Sequence, residues 1–105
     1  MKTAILLAAL AAGGFGAGQA AAADLAAGEE RYGVNCVNCH GRTGRGMASF
    51  PSIAGRDAEF ITSRLKSYRA RETVGPNSAL MFSLADELSD EDIANLSAFI
   101  AETFR

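Results

Sequence analysis

Cys36, Cys39 and His40 fall within five consecutive residues, Cys36-Val37-Asn38-Cys39-His40, and they are both cysteines and the single histidine of the chain. Two thiols at this spacing can each bond to the vinyl-derived carbons along one edge of a porphyrin. The residue after the second cysteine then lies beneath the ring, where an imidazole nitrogen can bind the iron. Cys-x-x-Cys-His is for this reason the attachment signature of c-type haem. The competing readings ask for more than the chain offers. A structural zinc site takes four ligands, and Cys and His together supply three here. A thioredoxin-like thiol pair belongs in a βαβ setting, and no segment reads as a strand. A Cys36–Cys39 disulfide beside an idle histidine is the direct alternative to thioether attachment.

With one histidine, a second axial iron ligand must come from another residue type, and thioether sulfur is the usual one. Met47 lies seven residues after His40, in the loop leaving the proximal side, and would have to reach the opposite face. Met81 lies 41 residues downstream of His40, enough chain to fold over a ring. Its other reading is an ordinary core methionine, because Leu80 and Phe82 flank it. The ligand reading is the favoured one.

The elements that must position these residues are helical. Asp24 can cap a first helix in which Leu25, Gly28 and Tyr32 share a face, and which should run toward Val34 or Cys36 and deliver the haem motif at its end. Glycines and Pro51 punctuate residues 41–56, which read as loop. Asp57 can cap a second helix over about 58–70, with Ile61, Leu65 and Tyr68 on one face. Residues 71–80 return to loop around Gly75-Pro76-Asn77, and a short helical turn is expected over 82–88. Ser89 followed by Asp92, with Asp90 and Glu91 between, resembles a capping box on an acidic first turn. Ile93, Leu96 and Ile100 then recur at helical spacing. The fold class is all-α.

Composition limits the function. Lys2 followed by an apolar run, a small-residue stretch and Ala20-Ala21-Ala22-Ala23 has the pattern of a secretory signal peptide, which predicts a leader over 1–23 and a domain over 24–105. A retained membrane anchor is the alternative, weakened by four glycines and Gln19 in the second half of the uncharged stretch. Cleavage after Ala23 leaves 82 residues. Domains of this size bury only roughly 60% of their unfolded surface, and a covalently held haem would serve as a staple. This domain loses Lys2 and keeps 9 basic residues against all 12 acidic ones, a formal charge of −3. That balance argues against nucleic acid, which calls for a basic footprint.

Taken together, these residues resemble a class I cytochrome c of the small soluble bacterial mono-haem type, over essentially all of 24–105. The motif near the N-terminus, Met81 before the last helix, and Gly28 and Tyr32 eight and four residues before Cys36 match the family pattern. The resemblance implies that the first and last helices cross closely, with Leu96 and Phe99 in the last. Pro51-Ser52-Ile53-Ala54-Gly55 resembles the family's Pro-x-Leu-x-Gly segment. By that match the Pro51 carbonyl accepts a hydrogen bond from His40 Nδ1, and Ile53 packs on the haem. Cys36 and Cys39 would hold one haem c, with His40 and Met81 as axial ligands. Arg56, Arg69 and Arg71 are candidate partners for the propionates. Tyr68 and Asn77 could approach Met81, and Arg42 and Arg45 could mark the rim of the haem edge.

The implied function is one-electron transfer in the periplasm with redox partner proteins, a donor dehydrogenase or membrane complex and an acceptor oxidase or reductase. There would be no small-molecule substrate and no catalytic residue. The chain would act as a monomer or as the haem-bearing subunit of a dehydrogenase complex. A gas-binding haem protein with an open sixth position is a third reading, and Met81 counts against it.

Overall fold

The computed structural model describes residues 22–105. The expected leader, apart from its last two residues, lies outside them. Five helices follow in order: α1 (Leu25–Asn35), α2 (Val37–His40), α3 (Ala58–Arg69), α4 (Ala79–Asp86) and α5 (Asp90–Thr103). Among the described residues there is no strand, only an isolated bridge between Met47 and Phe50.

Three of the helix starts follow from short polar side chains that satisfy free backbone N–H groups. The Asp24 carboxylate accepts from Ala27 N, and Asp57 accepts from Phe60 N at 2.7 Å. Ser89 and Asp92 bond reciprocally, each side chain to the other's backbone N–H at 3.0 Å, which is a complete capping box. The acidic run Asp90-Glu91-Asp92 also sits where the helix dipole is positive.

Helix α1 lies across α5, and the crossing depends on Gly28. A Cβ built there would fall 2.8 Å from the Phe99 Cβ and closer still to the Asn95 carbonyl oxygen. The absent side chain is what lets the two backbones approach. The Asn95 side chain then reaches back to accept a hydrogen bond from Asp24 N at 2.8 Å, and Arg31 pairs with Asp92 at 3.4 Å. Leu25, expected on this face, is 41% exposed. The buried positions of α1 are Gly28 and Tyr32.

The core is formed by Tyr32, Ile61, Leu65, Leu88, Ile93, Leu96, Ile100 and Phe104. At one end, the rings of Tyr32, Phe99 and Phe104 sit with centroids 5.2 to 5.7 Å apart in tilted and edge-on pairs, the geometry that aromatic quadrupoles favour.

Two elements differ from the sequence reading. Helix α1 ends at Asn35, where expected, but the haem motif that follows forms a turn of its own. The chain breaks at Cys36 (φ −120°, ψ −35°) and restarts as the separate turn α2, although Cys36 N still bonds to Tyr32 O at 2.9 Å. Gly41, at φ +84°, then ends α2 in a conformation that side chains disfavour. Helix α4 begins three residues earlier than expected, so that Met81 stands in its first turn. The Ser78 hydroxyl accepts from both Val74 N and Gly75 N, at 2.9 and 2.8 Å. These bonds fold the Gly-Pro-Asn segment into a compact turn that leads directly into α4.

Candidate haem site

Helices α3, α4 and α5, the α2 motif and the 49–53 loop enclose a cavity of about 460 Å³. That is within the range of roughly 300–1,000 Å³ common for cofactor sites. Cys36, Cys39 and His40 form one part of its wall. Pro51 and Ile53 form another, Ile61, Leu65 and Tyr68 come from α3, and Met81 and Leu84 from α4. Cys36, Cys39, His40, Pro51, Ile53 and Met81, the attachment, packing and ligand residues named from sequence, therefore line the same cavity. Met47 does not. It is 48% exposed, and its backbone is paired with Phe50.

His40 is 8% exposed, and its Nδ1 lies 2.8 Å from the Pro51 carbonyl oxygen. A carbonyl can only accept, so Nδ1 is the nitrogen that carries the proton. The neutral ring therefore keeps its lone pair on Nε2. Such a bond fixes both the tautomer and the ring plane, and raises the basicity of the remaining nitrogen. The backbone supports the same residue: His40 N bonds to Cys36 O at 3.0 Å, and Gly46 N bonds to His40 O at 2.8 Å. The Tyr32 hydroxyl donates to Gly41 O at 2.6 Å, tying α1 to the residue after the motif. Burial, helped by Cys36, pushes the Tyr32 hydroxyl up to about 12, so it remains a donor at any physiological pH.

The two thiols are not joined to each other. Burial, which outweighs the opposing pull of Arg31, pushes the Cys36 thiol up to about 11. A thiol–disulfide catalyst needs the reverse, a thiol pKa depressed toward neutrality. Cys36 is half-buried, and its raised thiol pKa speaks against the redox-pair reading.

The cations at the cavity are not the set expected from sequence. Arg69 donates to Leu88 O at 3.1 Å and pairs with Asp90 at 2.6 Å. Arg71 pairs with Asp86. Arg69 ties the end of α3 to the start of α5, and Arg71, just past α3, ties to the end of α4; neither lines the cavity. Arg56 does line it, and so does Arg64, which sequence reasoning missed. Their guanidinium groups lie 4.6 and 5.1 Å from the centre of the Phe60 ring. The signal for Arg64 was available, because Phe60, Ile61, Arg64, Leu65 and Tyr68 form one stripe at helical spacing. Tyr68 and Asn77 also face the cavity. Arg42 and Arg45 do not; they line a different cleft, beside the C-terminal end of α5.

The lining suits a haem. It offers two thiols together, an imidazole with one nitrogen uncommitted, a thioether, apolar side chains around them, and arginines for carboxylates. The family described as Cytochrome c matches residues 25–104 of this sequence. The chain belongs to the cytochrome c family. Cytochrome c-554(548) of Halomonas halodenitrificans is 46% identical over 79 residues, covering 74% of this chain and 94% of that protein. Cytochrome c-554(547) of Halothiobacillus neapolitanus is 39% identical over 88 residues, covering 76% and 97%. The reduced cytochrome c4 structure from Pseudomonas stutzeri superposes with a TM-score of 0.64 at 26% identity. The match covers 79% of this chain and 50% of that one, so this chain spans half of the cytochrome c4 structure. As a cytochrome c it is an electron-transfer protein with covalently bound haem c, and its two cysteines fit the Cys-x-x-Cys-His pattern.

Proposed function

We propose that this chain is an exported mono-haem electron carrier, with residues 1–23 as a secretory leader and 24–105 as the carrier domain. Cys36 and Cys39 would hold the haem through thioether bonds, and His40 Nε2 and the Met81 sulfur would be the ligands of its iron. The observation that carries this reading is the His40–Pro51 bond. It commits Nδ1 and leaves the Nε2 lone pair in an apolar cavity that Met81 also lines.

The bound group supplies one-electron chemistry between Fe(III) and Fe(II). The protein's part is to hold it. Pro51 keeps the imidazole oriented and basic. Ile53, Leu65 and Leu84 exclude water, and an apolar setting favours the less charged, reduced state. Met81 adds to that preference, because a thioether ligand raises the potential. With His40 and Met81 both committed to the iron, the site would offer a substrate no place to bind it. Arg56 and Arg64, at the cavity and forming no ion pair among the described residues, would receive the propionates. Among the described residues no helix is long and apolar enough to cross a membrane.

Absorption spectra of the exported protein, oxidised and reduced, test the ligands. The oxidised form should show the methionine–iron charge-transfer band, and Met81→Ala should abolish it. A wild-type spectrum without the band would reject Met81. Intact mass should equal residues 24–105 plus one haem, and a full-length chain recovered in the membrane fraction would reject the leader.

A further inference from the structure

The arginines divide into three groups, of which Arg56 and Arg64 line the haem cavity. Arg31, Arg69 and Arg71 pair with Asp92, Asp90 and Asp86. Arg42, Arg45 and Arg105 pair with no carboxylate among the described residues. They line one cleft of about 310 Å³ together with Thr43, Thr103 and Phe104. No acidic side chain lines it. Like charges gathered in this way repel one another, and no side chain lining the cleft offsets that cost.

The position of the cleft is set by the haem site. Ile53 N bonds to Gly44 O at 2.7 Å, and Gly55 N bonds to Phe104 O at 2.7 Å. These two bonds seat the loop of residues 51–55 between the segment that leaves His40 and the end of α5. Ile53 lines the haem cavity, while the next residue, Ala54, lines the basic cleft. A body bound in the cleft would therefore rest on the same loop that walls the cofactor site. Residues 24–105 carry a formal charge of −3, and where α4 meets α5 the carboxylates of Asp86, Glu87, Asp90, Glu91 and Asp92 outnumber the three arginines paired with them. A basic cleft on an acidic body gives the molecule a direction in an electric field, and such asymmetry steers encounter.

We propose that the Arg42–Arg45–Arg105 cleft docks a carboxylate-rich face of a redox partner protein. The proposal rests on the electron-carrier reading above. Guanidinium forks match carboxylates in pairs. All three arginines are exposed, which suits a broad acidic surface more than one enclosed anion.

The test uses haem-loaded protein on gold electrodes coated with carboxylate-terminated or hydroxyl-terminated monolayers, measuring adsorbed mass and electron-exchange rate. Arg42→Gln/Arg45→Gln removes two positive charges from the cleft. Lys66→Glu changes net charge by the same amount on exposed α3 surface. On the carboxylate surface, wild type and Lys66→Glu should adsorb and exchange electrons alike, with both signals falling as salt rises. The double variant should lose about tenfold in each, the low end of electrostatic steering. On the hydroxyl surface all three proteins should behave alike. Equal losses in the double variant and Lys66→Glu would mean that net charge alone acts, and would overturn the proposal. So would an unaffected double variant. Absence of a reversible wave on both surfaces would remove the carrier reading, and the docking proposal with it.

Discussion

Gly28→Ala and Gly33→Ala place the same methyl group on the same helix, five residues apart, and should move stability in opposite directions. Gly33 is exposed, and a Cβ there meets nothing within 4 Å. Its replacement should show only the gain in helix propensity, about 0.5–1 kcal/mol. At Gly28 the new methyl would sit 2.8 Å from Phe99 Cβ and nearer still to the Asn95 carbonyl, and real Cβ atoms essentially never approach within 3.0 Å. The nearest neighbour is backbone, so α1 must retreat from α5 as a body. Overpacking of this kind costs about 1–3 kcal/mol. Retreat also strains the Asp24–Asn95 hydrogen bond, worth about 0.5–1.5 kcal/mol. Against the propensity gain, the net for Gly28→Ala is a loss of about 1–3 kcal/mol. In a domain of this size each kcal/mol shifts Tm by about 4–8 °C. Thermal and denaturant unfolding of the haem-loaded variants, followed by far-UV circular dichroism, should show Gly28→Ala below wild type and Gly33→Ala above it. If both substitutions stabilise equally, the α1–α5 approach is not as tight as described, and the argument for Gly28 fails.

Two further expectations follow from the acidic start of α5. Ser89→Ala removes one half of the capping box and should lower stability by about 1 kcal/mol in denaturant unfolding, with no change in the haem spectrum. The carboxyls of Asp90 and Asp92 are held below the ordinary carboxylate range, Asp90 chiefly by the Arg69 hydrogen bond and charge, Asp92 chiefly by the Ser89 backbone N–H. A group depressed in the folded state stabilises above its unfolded pKa and loses that contribution as pH falls through its folded value. Stability should therefore fall on acidification below about pH 4, and Asp92→Asn should lie closest to wild type at the acid end of the titration. A gap that widens toward acid would contradict the sign.

How much of this was legible in the sequence depended on whether the cause was local. Asp24, Asp57 and Ser89 announced their helices because a cap is a bond between near neighbours. Cys36, Cys39 and His40 announced the cofactor because attachment needs their spacing along the chain. The break at Cys36 carried no glycine or proline to mark it, so residue type did not place it. Helix α4 began early because the Ser78 hydroxyl found two loop N–H groups, a geometry that residue type alone does not specify. The arginines were the least legible. Arg69, Arg71, Arg42 and Arg45 differ little as sequence, and only the folded chain separates those that pin α3, those at the cavity and those at the cleft. Arg64 is the instructive omission, since its place on the α3 stripe could have been read from the Phe60-Ile61-Leu65 spacing.

The crossing of α1 on α5 also bears on when this protein can fold. Its closest contacts join the two ends of the domain, and the hydrogen bond from Asp24 to Asn95 spans 71 positions. Contacts between such distant residues cannot form until the later partner exists, and closing so long a loop slows the search for it. A ribosome still holding residues 90–104 therefore keeps the domain open, with Cys36 and Cys39 on an accessible stretch of chain. Closure comes last, after the final helix is released, so the same packing that shields the cofactor in the finished molecule leaves its attachment point within reach beforehand.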